Sequence, residues 1–337
     1  MAFVEAEPTI ELLSVKALRF MLVSRVLDDK FASLYRMGKI HGGVFLSRGQ
    51  EALSVASALS LQPGDLYAPL IRDTAGRLAF GESLLDPIRT YLGSALGPMR
   101  GRDGNVHWGH PRLGMYAMIS HLGAMISVVS GGLLAHRLQG RRSTVGLSSV
   151  GDGATSTGAF HEALNQAAVE QLPLVLVVAN NCYAYSTPNN RQFACKSLVD
   201  RAVGYGVKGV EFDGTDLETC LRELGSAAAR ARSGQGPQLM IANLLRLCGH
   251  GEHDDASYVD PNLKTSQVGR DCLEVAIRKL VDSKTVTAED VALWKSRAID
   301  DVERAVAQGQ REPGPDPYRE DWSALSTEAL VERNWPQ

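Results

Sequence analysis

Asp152 and the pair Asn180-Asn181 are the residues whose types and spacing point most directly to chemistry. Asp152 lies in GDGATSTG, where closely spaced glycines lead into a helix, so the backbone amides can receive a phosphate. The turn is not a dinucleotide fingerprint: its last glycine comes too late, and no acidic residue follows at the expected distance. It is not a P-loop either, because no Lys-Ser or Lys-Thr closes it. A carboxylate inside an anion-binding turn repels a phosphate unless a cation lies between them. Magnesium suits that place, since it takes few protein oxygens and completes its octahedron with phosphate oxygens and water. The Asp152 carboxylate, the Asn181 side-chain oxygen and a nearby carbonyl would make such a set.

The flanking elements must bring these residues together. Val145 to Val150 is an apolar run that stops at Gly151, the pattern of a buried parallel strand. Thr155, Ser156 or Thr157 can cap the next helix, which carries Phe160, Ala163, Leu164, Ala167 and Ala168 on one face. Pro173 marks the end of that helix, and Leu174 to Val178 reads as a second buried strand. A crossover of this length is expected to be right-handed, with both strands parallel. Asp152 and Asn181 then share the carboxyl-end crevice where open α/β sheets bind ligands.

At these residues the chain resembles the thiamine diphosphate enzymes, whose motif is GDG followed after a spacer by NN. More narrowly, GDGATSTGAFHEALNQAAVEQLP and NNCYAYSTP are similar to the alpha subunit of the decarboxylating first component of 2-oxo acid dehydrogenase complexes. The likeness spans roughly residues 10–330. It implies a mostly parallel α/β sheet with helices on both faces, the diphosphate-binding half of the enzyme, with extra N- and C-terminal helices. It also implies that Asp152, Asn181 and the Tyr183 carbonyl hold magnesium, while Gly151, Gly153, Ala154 and Arg72 cradle the diphosphate. Ser120 and Leu122 match the loop that holds the aminopyrimidine ring, Leu122 as the bulky residue that bends the cofactor. His250 matches the histidine that meets the reacting carbons, and its ring suits proton exchange near neutral pH. Four residues depart from the family pattern: Ile71 in place of an aromatic, Thr157 in place of Glu or Gln, and His121 and Met125. Gly251 stands where animal relatives carry a regulatory phosphoserine.

The resemblance further implies oxidative decarboxylation of a 2-oxo acid, pyruvate or branched-chain, with acyl transfer to lipoyl. The carboxylate that activates the cofactor comes from a beta subunit in this family, so two alpha and two beta chains are expected. A lipoyl-bearing acyltransferase component is the further partner. Acetoin dehydrogenase alpha subunits share the pattern and remain an alternative. So does a non-catalytic paralogue that binds a partner or nucleotide.

Other polar clusters carry weaker signals. His107-x-x-His110 could be half a zinc site, but no cysteine or third histidine is suitably near. His250 and His253 beside Asp254-Asp255 would by themselves make a plausible divalent site. The five cysteines are scattered with no CxxC, the usage of reduced thiols in a cytosolic protein.

The 337 residues, 44% hydrophobic, can bury one large core or two modest ones, and a single domain is the simplest organisation. Residues 1–60 read as N-terminal helices, 61–265 as the α/β core, and 266–337 as C-terminal helices and a tail. A net charge of −3 leaves no nucleic-acid footprint and no basic membrane-binding stretch. No apolar run reaches transmembrane length, and the acidic opening MAFVEAEPT resembles neither a signal nor a transit peptide, so a cytoplasmic location is expected. Glu11–Met37 and Ser266–Ala307 are helical by pattern. The Pro-rich GQREPGPDPYREDW is expected to wrap a neighbouring surface.

Overall fold

The computed structural model describes residues 9–320; the acidic opening before Thr9 and the last residues of the Pro-rich tail lie outside them. Its strands are β1 (Leu66–Ala68), β2 (Gly146–Gly151), β3 (Leu174–Asn180), β4 (Tyr183–Ala184), β5 (Thr187–Pro188), β6 (Lys208–Asp213) and β7 (Gln238–Asn243). The central sheet runs β1-β2-β3-β7-β6 and every pairing in it is parallel. β4 and β5 form a separate antiparallel hairpin just past β3.

The helices are α1 (Ile10–Arg36), α2 (Glu51–Leu59), α3 (Thr74–Phe80), α4 (Leu85–Tyr91), α5 (Ala124–Leu138) and α6 (Gly158–Val169). There follow α7 (Arg201–Tyr205), α8 (Leu217–Arg232), α9 (Pro261–Thr265), α10 (Cys272–Asp282) and α11 (Ala288–Gly309). Alternation along the strands divides the core. Leu147, Val175, Val177 and Met240 face one layer with α1, α2, α8 and α10, while Leu174, Leu176, Val178 and Leu239 face the other with α5, α6 and α7. Successive side chains of a strand point to opposite faces, so near-continuous apolar runs are what a sheet covered on both sides needs. The chain steps β1, β2, β3 with α5 and α6 on one face. Beyond β6 it reverses direction with α8 on the other face, as crossovers of constant hand require.

Two details differ from the sequence reading. β3 runs to Asn180, so the Asn-Asn pair straddles the strand end, its first member in the ladder and its second in the loop. The stretch 266–307 is not one helix. α10 ends at Asp282, and a new capping box at Thr287 and Asp290 starts α11. The described part of the Pro-rich tail lies against its own chain: Glu312 pairs with Arg89, Ala95 N donates to the Pro313 carbonyl, and Glu320 pairs with Arg102. No described helix is long and apolar enough to cross a membrane.

Candidate functional site

A cavity of about 430 Å³ opens at the carboxyl ends of β2 and β3. Its walls include Ile71, Arg72, Leu122, Gly151, Asp152, Gly153, Ala154, Asn181, Tyr183, Tyr185, Arg246 and His250. Nine of the ten candidate residues of the sequence analysis therefore meet at one place. Ser120 does not: it is exposed on the neighbouring loop, with Oγ 2.9 Å from His107 Nε2.

The turn after β2 is a short 3₁₀ segment, Asp152–Ser156, and Thr157 then caps α6 by accepting from Phe160 N. Its carbonyls are occupied. Thr155 Oγ1 donates to the Asp152 carbonyl at 2.6 Å, Thr157 Oγ1 to that of Ala154 at 2.8 Å, and Arg201 to that of Thr155. Thr157 thus has a capping duty that accounts for a hydroxyl at that position. Gly153 is confined, since a Cβ there would stand 2.6 Å from the Ala184 Cβ, whereas a Cβ on Gly151 would meet nothing within 4 Å.

Asp152 is buried and accepts from Gln192 Nε2 at 2.6 Å through Oδ2. The Asn181 amide end lies 3.3 Å from Asp152 Oδ1 and 2.9 Å from the Tyr183 carbonyl. Its nitrogen can donate to both oxygens, or its oxygen can complete a three-oxygen set with them. Oxygen-only donors of this kind suit a hard divalent cation. Asn180 points elsewhere, donating to Asn243 on β7 and meeting the Asn189 amide at 2.6 Å. Past the pair, Cys182 and Tyr185 are held at φ +73° and +55°, left-handed conformations that cost energy for residues with a side chain. Among the described residues no three His, Cys, Asp or Glu side chains group to hold a metal, which removes the His107-His110 and His250-His253 alternatives as side-chain cages. The five cysteines are unpaired thiols, and burial pushes Cys182 and Cys248 up to about 11.

Two buried guanidiniums line the same cavity. Arg72 donates to the carbonyls of Leu46 and His250, at 2.8 and 2.5 Å. Arg246 donates to the carbonyls of Cys248 and Tyr185 and to the Tyr258 hydroxyl. Neither pairs with a carboxylate among the described residues. Carbonyls and a hydroxyl solvate both groups, so each keeps a charge that a ligand anion entering the cavity could meet directly. Arg246 escaped the sequence reading. Its only signal was being the lone charge in the apolar run NLLRL behind a buried strand.

His250 sits between the two arginines. Its Nδ1 lies 3.5 Å from Arg72 Nη2, so Nδ1 is assigned the lone pair and Nε2 the proton. Burial, then Arg72, then Arg246 lower its pKa to about 4. This corrects the expectation of proton exchange near neutrality: in this chain by itself the ring is a neutral hydrogen-bond donor at pH 7. Tyr185 and Phe45 pack edge-on against it, with centroids 4.6 and 5.4 Å away. The loop carrying it is pinned by Asp254, which accepts from His250 N and the Tyr258 hydroxyl, each at 2.6 Å. A Cβ on Gly251 would come within 2.8 Å of the His253 ring, so His253 fills the space a side chain there would use.

The model of the dehydrogenase E1 component family matches residues 18–318. The chain belongs to this family. It is 32% identical over 300 residues to the alpha subunit of acetoin:2,6-dichlorophenolindophenol oxidoreductase of Cupriavidus necator, covering 89% of this chain and 90% of that one. It is 30% identical over 303 residues to the pyruvate dehydrogenase E1 component subunit alpha of Rhizobium meliloti, covering 90% and 87%. To the 2-oxoisovalerate dehydrogenase subunit alpha of Bacillus subtilis it is 34% identical over 246 residues, covering 72% and 74%. The match to the E1 component takes in the whole cavity, from Arg72 through Asp152 and Asn181 to His250.

Proposed function

We propose that this E1-family chain is the alpha subunit of a thiamine diphosphate- and magnesium-dependent 2-oxo acid dehydrogenase. Two alpha and two beta subunits would assemble, and the acyl product would pass to a lipoyl-bearing acyltransferase component. The observation that carries the reading is the convergence of Asp152, Asn181 and the Tyr183 carbonyl in one cavity with Arg72, which pairs with no carboxylate among the described residues. A magnesium diphosphate matches that pairing of an oxygen set with a buried cation.

When bound, thiamine diphosphate supplies the electron sink that cleavage beside a carbonyl requires. Asp152, Asn181 and the Tyr183 carbonyl would hold its magnesium. Gly151, Gly153, Ala154 and Arg72 would cradle the diphosphate, with Arg246 as a second cation behind it. Leu122, 55% exposed at the cavity mouth, would shape the pyrimidine end beside the Ser120 backbone. His250, through its Nε2–H, would donate toward the reacting atoms. Asp152 is the one carboxylate in the described cavity wall, and it is committed to the cation side. A further carboxylate for proton transfer would therefore come from the beta subunit.

The test is co-expression with the genomic neighbour, followed by assay with an artificial electron acceptor. Pyruvate, 2-oxobutyrate, branched 2-oxo acids and acetoin would be offered with and without thiamine diphosphate and magnesium. Acetoin belongs in the panel because one of the relatives carries its name. Cofactor-dependent turnover of a 2-oxo acid is expected, and turnover of acetoin alone would move the chain to the second reading. Failure of the assembled pair to bind thiamine diphosphate would leave a non-catalytic paralogue. His250→Ala is expected to slow acyl transfer to a lipoyl acceptor while cofactor affinity is retained; lost affinity would give His250 a structural role instead.

A further inference from the structure

Gln192 is not among the residues lining the cavity, yet its amide bonds the carboxylate in the cavity wall. Its Nε2 donates to Asp152 Oδ2 at 2.6 Å and to the Thr187 carbonyl at 2.9 Å. Its own carbonyl accepts from Ser156 Oγ at 2.8 Å, which ties the residue to the turn that carries Asp152. Its Oε1 is screened from solvent and has no partner. A buried acceptor left unpaired is costly, and such groups concentrate where function holds them in place.

We propose that Gln192 is a positioning residue for the cation: by holding Asp152 Oδ2, it presents Oδ1 to the place where Asn181 and the Tyr183 carbonyl converge. The inference rests on the magnesium–thiamine diphosphate reading of that place. The chemistry of the donor supports it. A carboxylate with both oxygens free can swing between one-oxygen and two-oxygen coordination, whereas one pinned through Oδ2 offers a single oxygen in a fixed direction. A lysine or arginine there would pin it too, but would neutralise the charge the cation needs. The neutral amide fixes direction and leaves the charge. Asn189, with its amide turned, reaches the same Oδ2 at 2.9 Å and is a second donor of the same kind.

The experiment titrates magnesium against thiamine diphosphate binding in the assembled enzyme, read by quenching of intrinsic fluorescence. Gln192→Met, which keeps the bulk and removes the donor, is expected to raise the half-saturating magnesium concentration by about 10-fold or more, the usual penalty for losing such a partner. Added magnesium should restore binding. Unchanged half-saturation overturns the proposal. So does a loss of binding that no magnesium concentration restores, because that marks a merely structural residue. Ser156→Ala frees the Gln192 backbone without touching its amide and should give a smaller shift in the same direction, which keeps the idea testable if Gln192→Met folds poorly. If the parent assembly itself binds no thiamine diphosphate at any magnesium level, the reading of the site falls and this proposal with it; failure of the variant alone cannot be mistaken for that.

Discussion

Burial pushes the Asp152 carboxyl above its ordinary range, while hydrogen bonds from Gln192 and the backbone oppose the rise. A raised carboxyl pKa means that stability is lost as pH climbs from the unfolded through the folded value, so the ionised form burdens the fold. Asp152→Asn is therefore expected to raise the melting temperature of the cofactor-free chain and to abolish magnesium-dependent cofactor binding. A lowered melting temperature would show that the charge supports the fold instead. His250 has the opposite sign. Its pKa of about 4 lies below the ordinary value, so between about 6.5 and 4 the unfolded chain takes up a proton that the folded one refuses, and stability falls with pH. The ring should titrate near pH 4 by NMR, and pyrophosphate binding beside Arg72 and Arg246 should move it upward; an unmoved titration would place the anion elsewhere. Asp152 and Asn181 were legible because a short motif at fixed spacing carries them. Arg246, Gln192 and Tyr185 were not, because what matters about each is a contact made through the fold rather than along the chain.

The buried strands were readable because a parallel sheet covered on both faces demands unbroken apolar runs, as in Leu174–Val178. The break between α10 and α11 was harder to see, since apolar residues recur on both sides of it. Only the Thr287–Asp290 capping box marks it, and such a box is short and easily read as helix interior. The glycines at the end of β2 and in the turn after it separate fold from binding. Gly153→Ala would set a Cβ 2.6 Å from the Ala184 Cβ and is expected to destabilise by about 1–3 kcal/mol, as overpacking does. Gly151 has extended backbone and open space around it, so Gly151→Ala should leave the melting temperature unchanged. It would instead weaken cofactor binding, because the added methyl intrudes where the diphosphate would lie. Equal effects of the two variants on stability would contradict this division of roles.

Across the whole molecule, the N-terminal helices are joined to the C-terminal ones by one charged cluster in the core. Arg25 on α1 donates to Glu51 on α2 at 2.6 Å and forks onto Asp271, the N-cap of α10, at 2.8 and 2.9 Å. Glu51 is fully buried and also accepts from Gly49 N and the Cys272 thiol. The sequence showed amphipathic helices at both ends of the chain, but an ion pair between residues so far apart leaves no local trace. Magnitudes decide what the cluster does. Replacing one member strands a charge in the core, so Arg25→Met is expected to cost about 3–5 kcal/mol, far more than its side-chain packing alone. The comparison is Lys30→Met, which breaks the exposed Lys30–Glu303 pair between α1 and α11 and should cost about 0–1 kcal/mol. Urea unfolding of both variants beside the parent measures the difference. If Arg25→Met costs no more than Lys30→Met, Glu51 is not stranded when Arg25 is lost, and the terminal helices are held to the sheet by apolar packing alone.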